Sequence, residues 1–391
     1  MSYRLFPAAH FTFGALFSLL LAGFIRSAFG GGYLDGGIRE IVWLNFSGRA
    51  SESLERISSL LSSDPANYKA YLLRANCYGW FIAPDPENRR YDNSLLESLE
   101  ACWNDAEKIK SSAPDYDQAL YYRSLAKVVE ARFKAIRGQD FFSRWATRSA
   151  KDAADELVER SPDDIDARLP LAIFHYFWGG SPIWKRIGQF ALMFPRGQQE
   201  LGLKMLEEIA EEGDDSKLWA SLALLVIYTR NPETREQALT MAEQLHNMFP
   251  DNAIFQLVLG DCYRGLGRWV LAEAVYRSII AKVSSRLPGY DEVVYETSRL
   301  RTVECQINLS KMDVAFNSVR DILVSNPINP EWVVPWAHLY AARIYRHRGQ
   351  PKRAERALRY ALDGKNYENL HKMAKEEFEA VKKMTDREVD N

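Results

Sequence analysis

The pattern of apolar and polar positions predicts an all-helical protein. From about residue 48 onward, apolar residues recur with a helical period, and no strictly alternating stretch bounded by Asn-Gly or Asp-Gly predicts a strand. The predicted helices end at breaks, most of which carry a proline: Pro65, Pro114, Pro162, Pro250 and Pro327. Breaks of another form lie at Gly213 and around Pro288. Because proline cannot continue a helix interior and forces its predecessor out of the helical region, each proline is a credible helix end.

These breaks are regularly spaced. The successive gaps are 49, 48, 51, 37, 38 and 39 residues. A period of this size, one helix pair long, is typical of an α-solenoid. We therefore predict about seven helix pairs between a lone helix near Arg49–Ser62 and a charged closing helix at Tyr367–Met384.

The clearest repeat unit begins at Ala253. Gly260 and Tyr263 fall on its first helix, and Ala272 and Tyr276 fall on its second. Small residues at 260 and 272 permit close helix approach, while the two tyrosines fill the groove between neighbouring helices. This unit resembles the tetratricopeptide repeat (TPR). The resemblance implies an all-α, right-handed α-solenoid over residues 49–365, closed by a capping helix and charged tail over residues 366–391.

Other units match this pattern less completely. The units from Ser216 and Pro335 keep most of the small and aromatic positions, and the amino-terminal units are lengthened by loops after Ala83 and Gly179. The stretch Leu192–Phe255 is also similar to bacterial TPR proteins that are distantly related to a membrane-associated eukaryotic group. This second resemblance implies a fold and little about activity.

The first thirty residues differ from the rest of the chain. Arg4 is followed by the apolar run Phe11–Ile25. Its length of 15 residues lies between that of a signal-peptide core and the roughly 20 residues that a membrane-spanning helix requires. Small residues around Gly30 suit a signal peptidase. We expect residues 1–30 to be a cleaved signal peptide or an uncleaved membrane anchor, and residues 31–48 a glycine-rich tether. Since Arg4 keeps the amino terminus on the cytoplasmic side of the membrane, both alternatives predict that the rest of the chain lies outside the cytoplasm. It would be periplasmic, either secreted or anchored to the membrane by the amino-terminal segment.

Composition and motifs argue against several function classes. The chain has 50 Lys+Arg and 52 Asp+Glu, a net charge of −2, which disfavours nucleic-acid binding. It contains no G-x-S-x-G, H-E-x-x-H, G-x-x-x-x-G-K or G-x-G-x-x-G motif. The histidines are scattered and the cysteines form no C-x-x-C pair, although a Cys77–Cys102 disulfide stays open. We predict no enzyme, no cofactor and no metal.

Charge is unevenly spread along the chain. Near the carboxyl end, Arg343 precedes a basic patch that faces only Glu355: Arg346, Arg348, Lys352, Arg353, Arg356 and Arg359. An acidic cluster occupies 207–215. Each group is either an ordinary solvated helix face or a docking surface. As a docking surface, the basic patch would bind an acidic partner or anionic lipid headgroups.

The TPR resemblance also implies a binding groove. In that family the first helix of each unit lines a concave face that binds an extended peptide or a helix of another protein. The equivalent positions in this chain are Asn76, Trp80, Lys127, Tyr176, Tyr228, Asp261, Arg264, Glu304, Asn308, Arg343 and His347.

These observations favour a non-enzymatic interaction scaffold, exported or anchored, that binds a partner protein in this groove. The alternative is a periplasmic ligand-binding or transport-accessory TPR protein, which would require an apolar pocket within the aromatic stretch Phe174–Phe190. A hydrolase is a third reading, but no nucleophile–base pair supports it.

Overall fold

A computed structural model of the chain describes residues 36–179 and 197–389, and the regular elements in these ranges are helices. They comprise 17 α-helices and two short 3-10 turns, at Asp166–Arg168 and Pro232–Thr234. Contacts divide the chain into two compact units, with the boundary after Tyr228. We call the described residues up to Tyr228 the amino-terminal unit and those from Thr229 the carboxy-terminal unit.

The amino-terminal unit contains nine helices in its described ranges, the last of which ends just past the boundary. They are α1 (Gly36–Phe46), α2 (Ala50–Ser63), α3 (Tyr68–Ile82), α4 (Asp92–Glu107), α5 (Tyr116–Ile136), α6 (Asp140–Arg160), α7 (Leu169–Gly179), α8 (Gln199–Glu212) and α9 (Lys217–Arg230). The carboxy-terminal unit contains α10 (Arg235–Met248), α11 (Ala253–Gly265), α12 (Trp269–Ser284), α13 (Glu292–Asn308), α14 (Met312–Ser325), α15 (Val333–His347), α16 (Pro351–Asp363) and α17 (Leu370–Val389).

The predicted all-α fold and its successive helix packing are confirmed. Each predicted break falls between two helices, and the paired and closing helices occur in the predicted order. The helix predicted to be alone, α2, instead packs against the preceding helix α1. Within each unit, consecutive helices pack on each other, as α5 does on α6 and α15 on α16. The closing helix begins at Leu370 rather than Tyr367, because Glu368 and Asn369 have left-handed backbone φ angles of +50° and +63°.

Asparagine caps explain why a helix restarts after some of the prolines. Asn67, two residues after Pro65, accepts a hydrogen bond from the Ala70 amide at 3.0 Å. Asn252, two residues after Pro250, accepts from the amides of the first turn of α11 at 2.8 and 3.2 Å. Such a cap satisfies amide groups that have no partner within the helix, so proline ends one helix and asparagine begins the next.

The first helix of each pair forms the interior of its unit. Every residue of α11 from Ala253 to Cys262 is buried, and α13 is buried on nearly all sides. The second helices bury a single stripe, which in α14 consists of Ala315, Val319 and Ile322. A helix that is buried all round lies between two layers, whereas a striped helix has one face in solvent.

Helix α1 corrects the predicted tether. The expectation for residues 31–48 rested on glycine content, but Gly36–Phe46 is a helix, and Ile38, Val42 and Phe46 on it are each at most 2% exposed. Gly48, with φ of +79°, ends this helix, and the Arg49 amide donates back to the Leu44 carbonyl. Burial of the apolar side chains outweighs the low helix propensity of glycine.

The predicted signal or anchor, residues 1–30, lies outside the described residues, as does the start of the tether. Among the described helices, none combines the length and the apolar character required to cross a bilayer.

Candidate protein-interaction surfaces

The predicted groove positions Asn76 and Trp80 lie buried on α3, in contact with α1. Trp80 Nε1 donates to Asn76 Oδ1 at 3.2 Å. The Trp80 ring meets the Phe46 ring edge-on, with centroids 5.6 Å apart. Both predicted positions are at most 5% exposed, so in this conformation they contact the chain itself rather than an open surface.

The three other groove positions of the amino-terminal unit differ in exposure. Lys127 Nζ pairs with Glu130 Oε2 at 2.6 Å. Tyr228 is buried and donates to Glu207 Oε1 at 2.7 Å. Burial, reinforced by this carboxylate, raises the pKa of Tyr228 well above its ordinary value. Tyr176 stays partly exposed near the end of α7. Two of the three are therefore committed to internal polar contacts.

The groove positions Asp261, Arg264 and Glu304 belong to a buried ion cluster in the carboxy-terminal unit. Arg264 Nη1 donates to both oxygens of Glu304 at 3.0 and 3.1 Å, and its Nε lies 3.4 Å from Asp261 Oδ1. Arg301 lies 3.8 Å from Asp261, 3.7 Å from Glu304 and 3.3 Å from Glu368. Because each of the five side chains is at most 8% exposed, the cluster is an internal feature of this unit.

The charges of this ion cluster do not balance, since three carboxylates face two guanidinium groups. Burial raises the pKa of Asp261 and of Glu368, and the arginines offset this effect only in part. Burial opposes ionisation of Glu304 as well, but Arg264 and Arg301 outweigh it and its pKa lies below the ordinary value. The arginines are thus engaged with carboxylates of their own chain, which suits a structural role.

The last three groove positions lie at the carboxyl ends of α13 and α15. Asn308 Nδ2 donates to the main-chain oxygen of Glu304 at 2.8 Å. Arg343 Nε lies 3.5 Å from Glu377 Oε2 on α17. His347 is exposed. The structure therefore joins Asn308 to the ion cluster and ties Arg343 to α17, while His347 faces solvent.

The predicted basic patch divides into paired and exposed cations. Arg346 pairs with Glu377, which it shares with Arg343. Arg348 Nη2 lies 2.6 Å from Asp313 Oδ1, and its guanidinium stands 4.1 Å from the centroid of the Phe316 ring. These arginines connect neighbouring helices and belong to the packing of the unit.

The remaining four cations of the patch form the basic face of α16. They are Lys352, Arg353, Arg356 and Arg359, all exposed. Helical spacing puts them on one side of α16, while Ala354, Ala357, Leu358 and Ala361 bury the other side. Among the described residues, none of the four makes an ion pair. Tyr360 is 55% exposed on this face, Asp363 lies at its end and Glu355 at its edge.

The acidic cluster at 207–215 has internal partners. Asp215 is 2% exposed and lies 3.6 Å from Arg39 Nη2, and Lys204 lies 3.6 Å from Glu208. The cluster therefore contributes contacts within the amino-terminal unit. Arg39 and Lys204 offset part of the negative charge that the sequence count gives.

The described part of the aromatic stretch is core. Phe174 is fully buried, and its ring stacks on Trp178 with centroids 6.1 Å apart and planes 5° apart. Both pack with Ala131 and Ala146. Trp184 and Phe190 lie outside the described residues. What the structure describes here is a packed cluster rather than a pocket wall.

The four cysteines are buried free thiols, so Cys77 and Cys102 are not joined. Burial raises the pKa of Cys77 to about 11, which keeps this thiol protonated at neutral pH. Within residues 36–179 and 197–389, no group of three or more His, Cys, Asp or Glu side chains is placed to hold a metal ion.

Comparison with known proteins matches part of the carboxy-terminal unit to a repeat family. Residues 235–286, which span α10 to α12, match the family model described as tetratricopeptide repeat. A solved structure, the TPR domain of P58(IPK), is 15% identical, and the alignment covers 90% of this chain and 98% of that chain at a TM-score of 0.27. A search of curated proteins finds no significant relative. Residues 235–286 therefore match the tetratricopeptide repeat, and the helix pairs at the predicted breaks agree with the repeat pattern of the sequence.

Proposed function

We propose that this chain is a non-enzymatic interaction protein that docks an acidic partner protein on the basic face of α16. The TPR fold is a scaffold for protein–protein interaction, since its helix pairs leave a long surface available. The observation that carries the proposal is the exposed set Lys352, Arg353, Arg356 and Arg359 on one side of a single helix. None of the four makes an ion pair within the part of the chain that the structure describes, and the Arg353 side chain donates only to the neutral Gln350 at 3.2 Å.

The chemistry of this face selects its partner. Arginine presents a planar fork of donors that matches a carboxylate in two parallel hydrogen bonds, and three of the four cations are arginines. Tyr360 adds a large, half-exposed ring, stacked on His338 with centroids 4.9 Å apart. A rigid aromatic group beside arginines is typical of residues that dominate interface energy.

The predictions of groove binding and of export or membrane anchoring do not depend on the basic face of α16. Six of the eleven groove positions are buried, so binding along the whole inner face stays a prediction. Export or anchoring is proposed from the apolar run Phe11–Ile25 and from Arg4 alone. Two measurements on the protein from its native source test this proposal: its intact mass, and its extraction from membranes by carbonate. A full-length chain that carbonate releases from the membrane would contradict both a cleaved signal peptide and an anchor.

A charge-reversal pair tests the basic face. The variant Arg353→Glu, Arg356→Glu, Arg359→Glu should lose its partner, whereas the matched variant Arg277→Glu, Arg286→Glu, Arg320→Glu, exposed elsewhere in the same unit, should keep it. Affinity capture with both variants and the wild type is compared by quantitative mass spectrometry at low and high salt. A set of acidic proteins lost only from the first variant and released by salt supports the proposal.

Equal capture by all three proteins would overturn the proposal. Co-sedimentation of the protein with anionic and with neutral lipid vesicles is measured alongside. If the wild type captures no protein partner and sediments only with anionic vesicles, the basic face is a membrane contact instead.

A further inference from the structure

Helix α1 lies against interior helices of the amino-terminal unit. The Phe46 ring meets Trp80 of α3 edge-on at 5.6 Å and Trp219 of α9 edge-on at 6.4 Å. Trp219 and Trp80 are far apart in sequence, and each belongs to the first helix of a pair. The Phe46 ring at the end of this short helix therefore contacts both α3 and α9.

Polar contacts fix both ends of α1 on this surface. Near its amino end, Arg39 Nη2 lies 3.6 Å from Asp215 Oδ1. Near its carboxyl end, the Cys77 thiol donates to Asn45 Oδ1 at 3.2 Å. Between them, Ser53 Oγ donates to the Ile41 main-chain oxygen at 3.2 Å. The inner surface thus supplies one anionic site and one thiol donor to α1, and the following helix α2 supplies one hydroxyl donor.

The buried side chains of α1 have the spacing of a helix bound in a groove. Ile38, Val42 and Phe46 follow each other at four-residue intervals and are at most 2% exposed. Ile41 and Leu44, each 4% exposed, and the buried Asn45 widen this face, while Trp43 is 40% exposed. Apolar anchors at such spacing, laid into an apolar groove, are a recurrent way of recognising a helix. Helix α1 is joined to α2 only by residues 47–49. So short a link gives the tethered helix an effective concentration in the millimolar range, which excludes weaker competitors.

We propose that the inner surface of the amino-terminal unit is a helix-binding groove that α1 occupies as an intramolecular ligand. The groove accepts an apolar helix with an arginine in its first turn and an aromatic residue two turns later. While α1 is seated, the groove is closed; when α1 leaves, the groove opens to a helix of the same chemistry. The proposal concerns a different unit from the basic face of α16 and does not depend on it.

Cys77 reports whether α1 can leave without unfolding the unit. This thiol is fully buried and contacts α1, whereas Cys102 is fully buried in the same unit and donates to the Tyr122 main-chain oxygen. In the full-length chain, Phe46→Ala removes the ring that anchors α1, and alkylation of Cys77 should accelerate roughly tenfold or more while that of Cys102 is unchanged. Arg39→Ala, which breaks the contact at the other end without leaving a cavity, should give a smaller acceleration of the same kind. Trp43→Ala, on the exposed side of α1, is the matched control.

A synthetic peptide of residues 36–49 tests the groove itself. Added to Phe46→Ala, the peptide restores the missing ring and should slow Cys77 alkylation back toward the wild-type rate, with saturation as its concentration rises. Added to the wild type, where the tethered helix excludes it, the peptide should bind at least about tenfold more weakly. Parallel acceleration of Cys77 and Cys102 in both Phe46→Ala and Arg39→Ala would show that α1 is inseparable from the core and would overturn the proposal. Failure of the peptide to protect Cys77 in either variant would overturn it as well.

Discussion

Gly260 lies so close to Tyr276 that a Cβ atom at position 260 would stand 2.6 Å from Cε1 of the tyrosine ring. The ring has little freedom to move, because Tyr276 is fully buried and its hydroxyl donates to Asp261 Oδ1 at 2.5 Å. This contact joins α11 to α12 within the repeat that matches the TPR family.

Gly260→Leu should therefore destabilise the protein by about 1–3 kcal/mol, the usual cost of forcing a large side chain into a packed interface. Urea unfolding followed by circular dichroism measures the change. Gly265→Ala, on the same helix, is the control, since a Cβ there meets no atom within 4 Å. An unchanged unfolding midpoint for Gly260→Leu would contradict the close approach of these helices.

Arg301→Met tests the buried ion cluster. Removing this guanidinium leaves Asp261, Glu304 and Glu368 facing Arg264 alone within the cluster. The free energy of unfolding should fall by about 3–5 kcal/mol, because uncompensated charge remains in the interior. Adding Glu368→Gln to this variant should recover part of the loss. Arg320→Met, at an exposed pair with Asp321, should change stability by less than about 0.5 kcal/mol; equal losses at 301 and 320 would contradict the buried cluster.

His338 should make the protein less stable as the pH falls. Burial lowers its pKa below the ordinary value of 6.5. In the unfolded chain the imidazole gains a proton near pH 6.5, whereas the folded chain resists protonation until the lower folded pKa is reached. Stability attributable to His338 is therefore present above pH 6.5 and is lost as the pH drops through that window. Urea unfolding from pH 7.5 to 5.5 should show a shallower decline for His338→Gln than for wild type; identical slopes would contradict the burial of this imidazole.

The helix boundaries could be predicted because their causes are local. A proline such as Pro250 ends a helix through its own geometry, and the asparagine that follows caps the next one. The pairing of Gly260 with Tyr276 was also within reach, since it depends on spacing inside one repeat. These features need no knowledge of distant residues.

Other features depend on residues that only the fold brings together. Helix α1 is short and begins with two glycines, and what stabilises it includes Trp219, more than 150 residues later in sequence. Arg301 and Glu368 were not predicted as site residues because their proximity arises from tertiary packing. Helix α13 is a partial exception. Its charged residues alternate with apolar ones on a helix that is buried nearly all round, a pattern that indicates internal ion pairs.

The basic patch shows the same limit in its charges. Counting arginines along α15 and α16 overestimates the available positive charge, because Glu377 and Asp313, which neutralise Arg346 and Arg348, lie on other helices. Periodicity locates a charged face, whereas pairing across helices decides how much of that charge faces solvent.

Single charge reversals separate the two parts of this patch. Arg346→Glu places a second carboxylate against Glu377, whose side chain is 9% exposed and which would then rely on Arg343 alone within this group. We expect a loss of about 1–3 kcal/mol in the free energy of unfolding. Arg356→Glu should stay within about 0.5 kcal/mol of wild type, because this exposed side chain makes no ion pair with the residues that the structure describes.

Urea unfolding at neutral pH checks both variants, with equal slopes required so that the midpoints report stability alone. If the two reversals cost the same, the division of the patch into paired and exposed cations is wrong. If they differ as expected, a binding defect in Arg356→Glu can be attributed to the surface itself, whereas a defect in Arg346→Glu also contains the weakened packing of α15 on α17. Only the exposed cations are therefore informative probes of a partner.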